Sequence, residues 1–132
     1  MPVTRIDLEN GHVLKYIIDD PWEVDDLLKL FPADILYRDK APFKVHTLIN
    51  AEKVNRVPSG WLRARIAPGL VHPNSGQFVV VGLHGTAYHL MGVLLKTINY
   101  RRLVLFNTES EAITYLQQTI KKETGDYADR EA

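Results

Sequence analysis

With 132 residues, 16 basic against 16 acidic side chains and no cysteine, the chain has the size of one domain and excludes several classes of function. Without thiols it can form no disulfide framework, thiolate metal site or cysteine nucleophile. A formal net charge of zero indicates no general attraction to nucleic acid, and no apolar run reaches the roughly 18 residues of a membrane span. We therefore expect a cytoplasmic protein with no nucleic-acid partner and no membrane insertion.

The first elements predicted along the chain are a β-hairpin and a helix. Two apolar-rich runs flank Asn10-Gly11, a dipeptide typical of a type I′ turn because both central positions of that turn adopt positive φ. The run Asp20-Pro21-Trp22-Glu23 predicts a helix start, with Asp20 as the N-cap and Glu23 completing a capping box. Pro32 predicts that this helix stops or kinks before it and that the chain restarts as helix over 33–37.

Three strand and helix pairs are predicted after the first helix. The strands cover 43–51, 77–83 and 103–106, and the helices cover 59–67, 87–98 and 109–122, the last one opened by a capping box from Thr108 to Glu111. Apolar periodicity predicts which side chains of each helix are buried against the sheet. They are Leu62 and Ile66 in the first helix, Leu90, Val93, Leu94 and Ile98 in the second, and Ile113, Leu116 and Ile120 in the third.

This order of elements predicts an α/β fold. An N-terminal β-hairpin followed by alternating helices and strands forms a mixed, largely parallel sheet of about five strands, with helices packed on it. Residues 1–122 are expected to form a single domain, and residues 123–132 a polar C-terminal tail.

The segment from Val45 to Leu62 resembles the central signature of STAS domains, the family of anti-sigma-factor antagonists. In that family a strand is followed by a loop and an Asp-Ser-Ser-Gly-Leu helix start, and here the start reads Val57-Pro58-Ser59-Gly60-Trp61-Leu62. The family carries a serine or threonine there that a partner kinase phosphorylates. Aligned on Gly60, Pro58 replaces the usual phosphoacceptor and Val57 the acidic residue, which leaves Ser59 as a phosphoacceptor or as a helix cap.

The resemblance implies a non-enzymatic regulatory or scaffolding module for signalling, which docks a protein partner around Ser59. The residues expected to contact that partner are Arg56, Val57, Ser59, Gly60, Trp61 and Arg63. Arginine and exposed tryptophan are enriched at protein interfaces. The alternative is a module of STAS-like fold that binds a small molecule, whether a nucleotide, a lipid or another anion. A homodimer through a sheet edge or the helix 90–98 is also left open.

A second candidate site lies at His84, Gly85 and Thr86, where a glycine turn opens a helix whose free amides could hold an anion. A plain capped helix is the alternative there. His84 and His89 are five positions apart with no third ligand at a recognisable spacing, which argues against a metal site. We predict no catalytic residue, metal or cofactor, because no nucleophile has a histidine and an acid at a recognisable spacing.

Overall fold

Five strands form one mixed sheet in the part of the chain that the structure, a computed structural model, describes, which is residues 2–98 and 103–131. The strands are β1 (Val3–Leu8), β2 (Val13–Asp19), β3 (Val45–Lys53), β4 (Ser75–Val81) and β5 (Leu103–Phe106). They lie in the sheet in chain order. β1 is antiparallel to β2, and the other three neighbouring pairs are parallel. The predicted α/β fold with a largely parallel five-stranded sheet is confirmed.

Helices cover both faces of the sheet unequally. They are α1 (Val24–Leu28), α2 (Phe31–Lys40), α3 (Pro68–Val71), α4 (Gly85–Ile98) and α5 (Glu109–Glu131), and a 3₁₀ helix spans Trp61–Ile66. Since the parallel strands follow one another in order, right-handed crossovers place their helices on one side, the front face. The front core contains side chains of α1 to α4 and of the 3₁₀ helix, whereas, of the side chains that the structure describes, those of α5 pack on the back face. Among the described residues, no helix is both long and apolar enough to span a bilayer.

The predicted N-terminal hairpin is present, but its connection is longer than a two-residue turn. Leu8 pairs with Val13, which leaves residues 9–12 between the strands. Three consecutive residues there have positive φ, namely Glu9 at 52°, Asn10 at 55° and Gly11 at 87°. A type I′ turn needs only two such residues. The Asn-Gly dipeptide therefore predicted the position of the connection between β1 and β2 correctly, but not its length.

The first helix does not begin at Asp20 as predicted. The Asp20 carboxylate accepts the backbone N–H of Asn55 at 2.7 Å, so it is engaged away from the helix. α1 starts at Val24 instead, where the Glu23 N–H donates to Asp26 Oδ2 at 2.8 Å. α2 then starts at Phe31, before the predicted restart, because Pro32 in its first turn has no N–H to leave unpaired.

The last two helices agree with their predicted positions and differ in detail. α4 begins at Gly85, and Val93 is 50% exposed, so the prediction that Val93 faces the sheet is wrong. The side chains of Leu94 and Ile98 lie outside the described set. In α5, Leu116 is fully buried, Ile113 and Ile120 pack on the same core, and the helix continues past Lys122 to Glu131.

The capping box predicted for the start of α5 forms in part. Thr108 Oγ1 accepts the N–H of Glu111 at 3.3 Å, as an N-cap side chain does. The Glu111 carboxylate accepts from the same hydroxyl at 2.9 Å. The helix start is therefore stabilised by the two residues that the sequence named.

Candidate functional site

A cavity of about 140 Å³ lies between the front face of the sheet and the helices that cover it. Its walls come from β2, β3 and β4 below and from α1, α2, the 3₁₀ helix, α3 and α4 above. The bulkiest apolar side chains in the lining are Trp22, Phe31, Trp61, Phe78, Leu90 and Met91. Protein interiors contain few voids larger than a water molecule, so a volume of this size within the core is the most distinctive feature of the front face.

The cavity reaches the surface beside the 3₁₀ helix and α4. Most of the lining is buried, and the partly exposed lining residues include Val57, Trp61, Ala64, Leu83 and Met91. In open α/β sheets, ligands usually bind in a crevice where the strand order reverses. Here the order never reverses, and the free volume lies beneath the crossover helices, with the predicted contact residues Val57 and Trp61 in its wall.

The 3₁₀ helix explains why two predictions about this segment are wrong. We expected an α-helix over 59–67 with Leu62 and Ile66 buried, but these two side chains are 39% and 59% exposed. A 3₁₀ helix has three residues per turn, so residues three apart share a face. Trp61, Ala64 and Ala67 therefore face inward, and all three line the cavity.

Ser59 does not cap this helix. The residue before the first helical position is Gly60, in the left-handed conformation at φ 77°, and no side chain provides a cap hydrogen bond there. Ser59 and Gly60 are both exposed. Pro68 and Gly69, which directly follow the predicted helix, begin α3 and are buried. The cap interpretation of Ser59 is thus wrong, because the chain reverses at Gly60 before the helix begins.

The arginines expected to contact a partner are bound within the chain. Arg56 Nη2 lies 3.2 Å from Glu23 Oε1, and the Arg56 carbonyl accepts the indole N–H of Trp22 at 3.2 Å. Arg63 pairs with Asp25 of α1. Both ion pairs are exposed and contribute little stability. The two ion pairs join the outer wall of the cavity to the start of α1.

One polar cluster interrupts the apolar lining. Tyr16, Asp34 and Thr47 belong to the wall, and Arg38 lies behind them with its side chain fully buried. The Asp34 carboxylate, 1% exposed, accepts hydrogen bonds from the Tyr16 hydroxyl and from Arg38 Nε. Burial, followed by the neighbouring negative charge of Asp34, raises the pKa of Tyr16, so its hydroxyl stays protonated and donates.

The buried guanidinium of Arg38 is compensated by several acceptors in addition to Asp34. It donates to the Val45 carbonyl at 2.9 Å, to Ser75 Oγ at 2.9 Å and to Thr47 Oγ1 at 2.8 Å. A buried charge is tolerated only when it is paired and hydrogen-bonded in this way. The Asp34 and Arg38 pair is therefore a fixed, neutral unit at the edge of the cavity.

Asp34 and Arg38 are not among the residues predicted from the sequence. A signal was present, because Phe31, Asp34 and Arg38 follow the i, i+3, i+7 spacing of one helical face, and all three are buried. Charged residues on the same face as a core phenylalanine indicate a buried polar pair. The signal was weak because Pro32 made the start of this helix uncertain.

The predicted anion site at the start of α4 lies outside the cavity. His84, Gly85 and Thr86 are exposed. His84 Nδ1 lies 2.9 Å from the Gly82 carbonyl, and Nε2 lies 3.1 Å from Asn55 Oδ1, so the ring joins the loops that follow β3 and β4. His89 is exposed as well. Within the described residues, no three histidine, aspartate or glutamate side chains are grouped to hold a metal ion.

Compared with models of known protein families, with curated proteins and with solved structures, the chain has no significant match.

Proposed function

We propose that this protein is a non-catalytic binding module that holds a small apolar molecule in the front-face cavity. The observation that carries the proposal is the cavity itself, about 140 Å³ in volume and walled almost wholly by apolar side chains. The sequence predicted either docking of a protein partner or binding of a small molecule. The cavity favours the small molecule, although an apolar one and not an anion. The STAS resemblance remains a proposal, supported by the order of the elements.

The energetic cost of the cavity supports an occupant. At about 24 cal/mol per Å³, a void of about 140 Å³ lowers the free energy of unfolding by about 3 kcal/mol relative to a filled core. Domains of ordinary stability unfold with only about 5–15 kcal/mol. Larger residues at Ala64, Ala67 or Ala87, which line the volume, would remove this cost, so alanine at all three positions is consistent with keeping the space open.

The test is a titration with toluene, monitored by the backbone amide NMR signals of wild type and of two variants. The variants place the same side chain on opposite faces of the 3₁₀ helix. Ala64→Met projects into the cavity, and Ile66→Met replaces an exposed residue. Wild type and Ile66→Met should bind toluene saturably, whereas Ala64→Met should bind at least about tenfold more weakly, since its side chain occupies the site. Equal binding by the two variants, or no saturable binding by wild type, would contradict the proposal.

Docking of a protein partner is a second candidate function, and the outer face of the 3₁₀ helix and α3 supports it. Leu62, Ile66 and Val71 are 39%, 59% and 62% exposed there, next to the Ser59 loop that the sequence singled out. In a pull-down, Ile66→Ser should lose a partner that Ile35→Ser retains, because Ile35 is an exposed apolar residue on α2. Equal capture by both variants would remove this candidate.

A further inference from the structure

We propose that the cavity selects neutral, compact apolar molecules that carry one hydroxyl group, with the Asp34 carboxylate as the acceptor for that hydroxyl. This inference rests on the proposed ligand-binding function and names the chemical class of the ligand. It follows from the position of one buried, charged acceptor, beside the hydroxyls of Tyr16 and Thr47, in a wall that is mainly apolar.

Asp34 has acceptor capacity beyond its contacts within the chain. A carboxylate offers about four lone-pair positions on its two oxygens. The Tyr16 hydroxyl uses one on Oδ2 and Arg38 Nε uses one on Oδ1. Hydrogen bonds to a charged acceptor are stronger than neutral ones, and burial strengthens them further. A hydroxyl on the ligand would therefore find a favourable acceptor in the part of the wall that Asp34 forms.

Charged groups on a ligand fit poorly beside Asp34. A ligand carboxylate would bring a second negative charge to Asp34 in a region of low dielectric constant. Arg38 would not offset it, since its guanidinium already donates to Asp34, Val45, Ser75 and Thr47. A ligand ammonium would lose its hydration, and the Asp34 carboxylate in the wall is already paired with Arg38. A neutral hydroxyl avoids both costs.

The volume limits the size of the ligand. An apolar cavity of about 150 Å³ accommodates benzene, and the present cavity measures about 140 Å³. The ligand, or the part of it that enters, is therefore about as large as one six-membered ring. A cyclic or branched alcohol meets the limits of size, polarity and charge together.

The experiment compares toluene, phenol and benzoate by calorimetric titration of the wild-type protein at pH 7. Toluene and phenol have the same number of non-hydrogen atoms, and removing the phenol hydroxyl from water is unfavourable unless it finds a hydrogen-bond partner. We expect phenol to bind at least as tightly as toluene, and benzoate at least about tenfold more weakly than phenol. Tighter binding of toluene than of phenol would overturn this inference and leave the proposed function standing. Failure of all three to bind would overturn both.

A charge-removing variant tests the role assigned to Asp34. Asp34→Asn keeps the size of the side chain and leaves the positive charge of Arg38 unbalanced, so the affinity for benzoate relative to phenol should rise by at least about tenfold. Asp39→Asn, at an exposed position on the same helix, should keep the wild-type order. An unchanged ratio in folded Asp34→Asn would overturn the inference, and the wild-type titrations decide the question if that variant does not fold.

Discussion

At the scale of single residues, the hydrogen bonds of one buried histidine join three elements, although no sequence motif marks it. His46 of β3 is 1% exposed, and its Nδ1 accepts the backbone N–H of Gln77 at 2.8 Å. Because Nδ1 accepts, the proton of the neutral ring resides on Nε2, which lies 3.1 Å from Glu123 Oε1 in α5. The imidazole therefore links β3, β4 and the far part of α5. Gly76 permits this, since a Cβ there would lie 2.2 Å from His46 Nδ1.

The His46 environment predicts a loss of stability in mild acid. Burial lowers the pKa of this imidazole and outweighs Glu123, which raises it, while His12 and Arg38 lower it further. The unfolded chain takes up a proton near the ordinary histidine value of about 6.5, but the folded ring does so only at lower pH. The free energy of unfolding should therefore be fully maintained above about pH 6.5 and decrease as the pH falls towards the folded pKa.

Urea denaturation between pH 7.5 and pH 5 checks this expectation. His46→Asn keeps an acceptor for the Gln77 N–H and removes the titrating ring, so its stability should vary less with pH than that of wild type. His89→Asn replaces an exposed histidine and should keep the wild-type dependence. If His46→Asn retained the full wild-type slope, His46 would not be its source.

At the scale of elements, the 3₁₀ helix shows how a correct location can accompany an incorrect conformation. The sequence placed a helical segment over 59–67, and the structure has one at Trp61–Ile66. An α-helical period put Leu62 and Ile66 inside. The 3₁₀ period puts Trp61, Ala64 and Ala67 there. Local sequence does not distinguish the two periods over six residues, because the choice depends on what the segment packs against.

Substitutions at the start of the 3₁₀ helix should follow the observed geometry. Ser59→Ala should change the free energy of unfolding by less than about 0.5 kcal/mol, because the exposed hydroxyl caps no helix. Gly60→Ala should cost about 1 kcal/mol, because φ 77° is unfavourable for a residue with a Cβ. Urea denaturation of both variants measures the difference, and a larger loss for Ser59→Ala than for Gly60→Ala would support the cap interpretation.

At the scale of the whole molecule, the sheet separates two cores with different properties. The back core, under α5, contains Leu116 and the inward side chains of β2, β3 and β4, and it is tightly buried. The front core encloses the cavity. Sequential strand order explains the asymmetry, since all the parallel crossovers cover the front while a single long helix covers the back.

Matched truncations on the two sides should separate stability from binding. Leu116→Val in the back core and Leu27→Val in the cavity wall each remove one methylene from a buried leucine. Each should lower the free energy of unfolding by about 1 kcal/mol. Only Leu27→Val should alter the dissociation constant for toluene, measured by NMR titration, because only that side chain lines the site. A change of more than about twofold in Leu116→Val would mean that the two cores are coupled.

The sequence by itself determined the class of fold, because apolar periodicity and turn residues are local signals that survive in one chain. Alternation around Asn10-Gly11, the apolar run before Gly82 and the threonine cap of α5 each specify an element without knowledge of its neighbours. Only the tertiary structure decided the candidate site. The cavity is a volume that eight elements leave unfilled. The pairing of Asp34 and Arg38 is polar chemistry within the core only because both side chains are buried beside Tyr16 and Thr47. Unfilled space and desolvation are properties of packing, which no local pattern encodes.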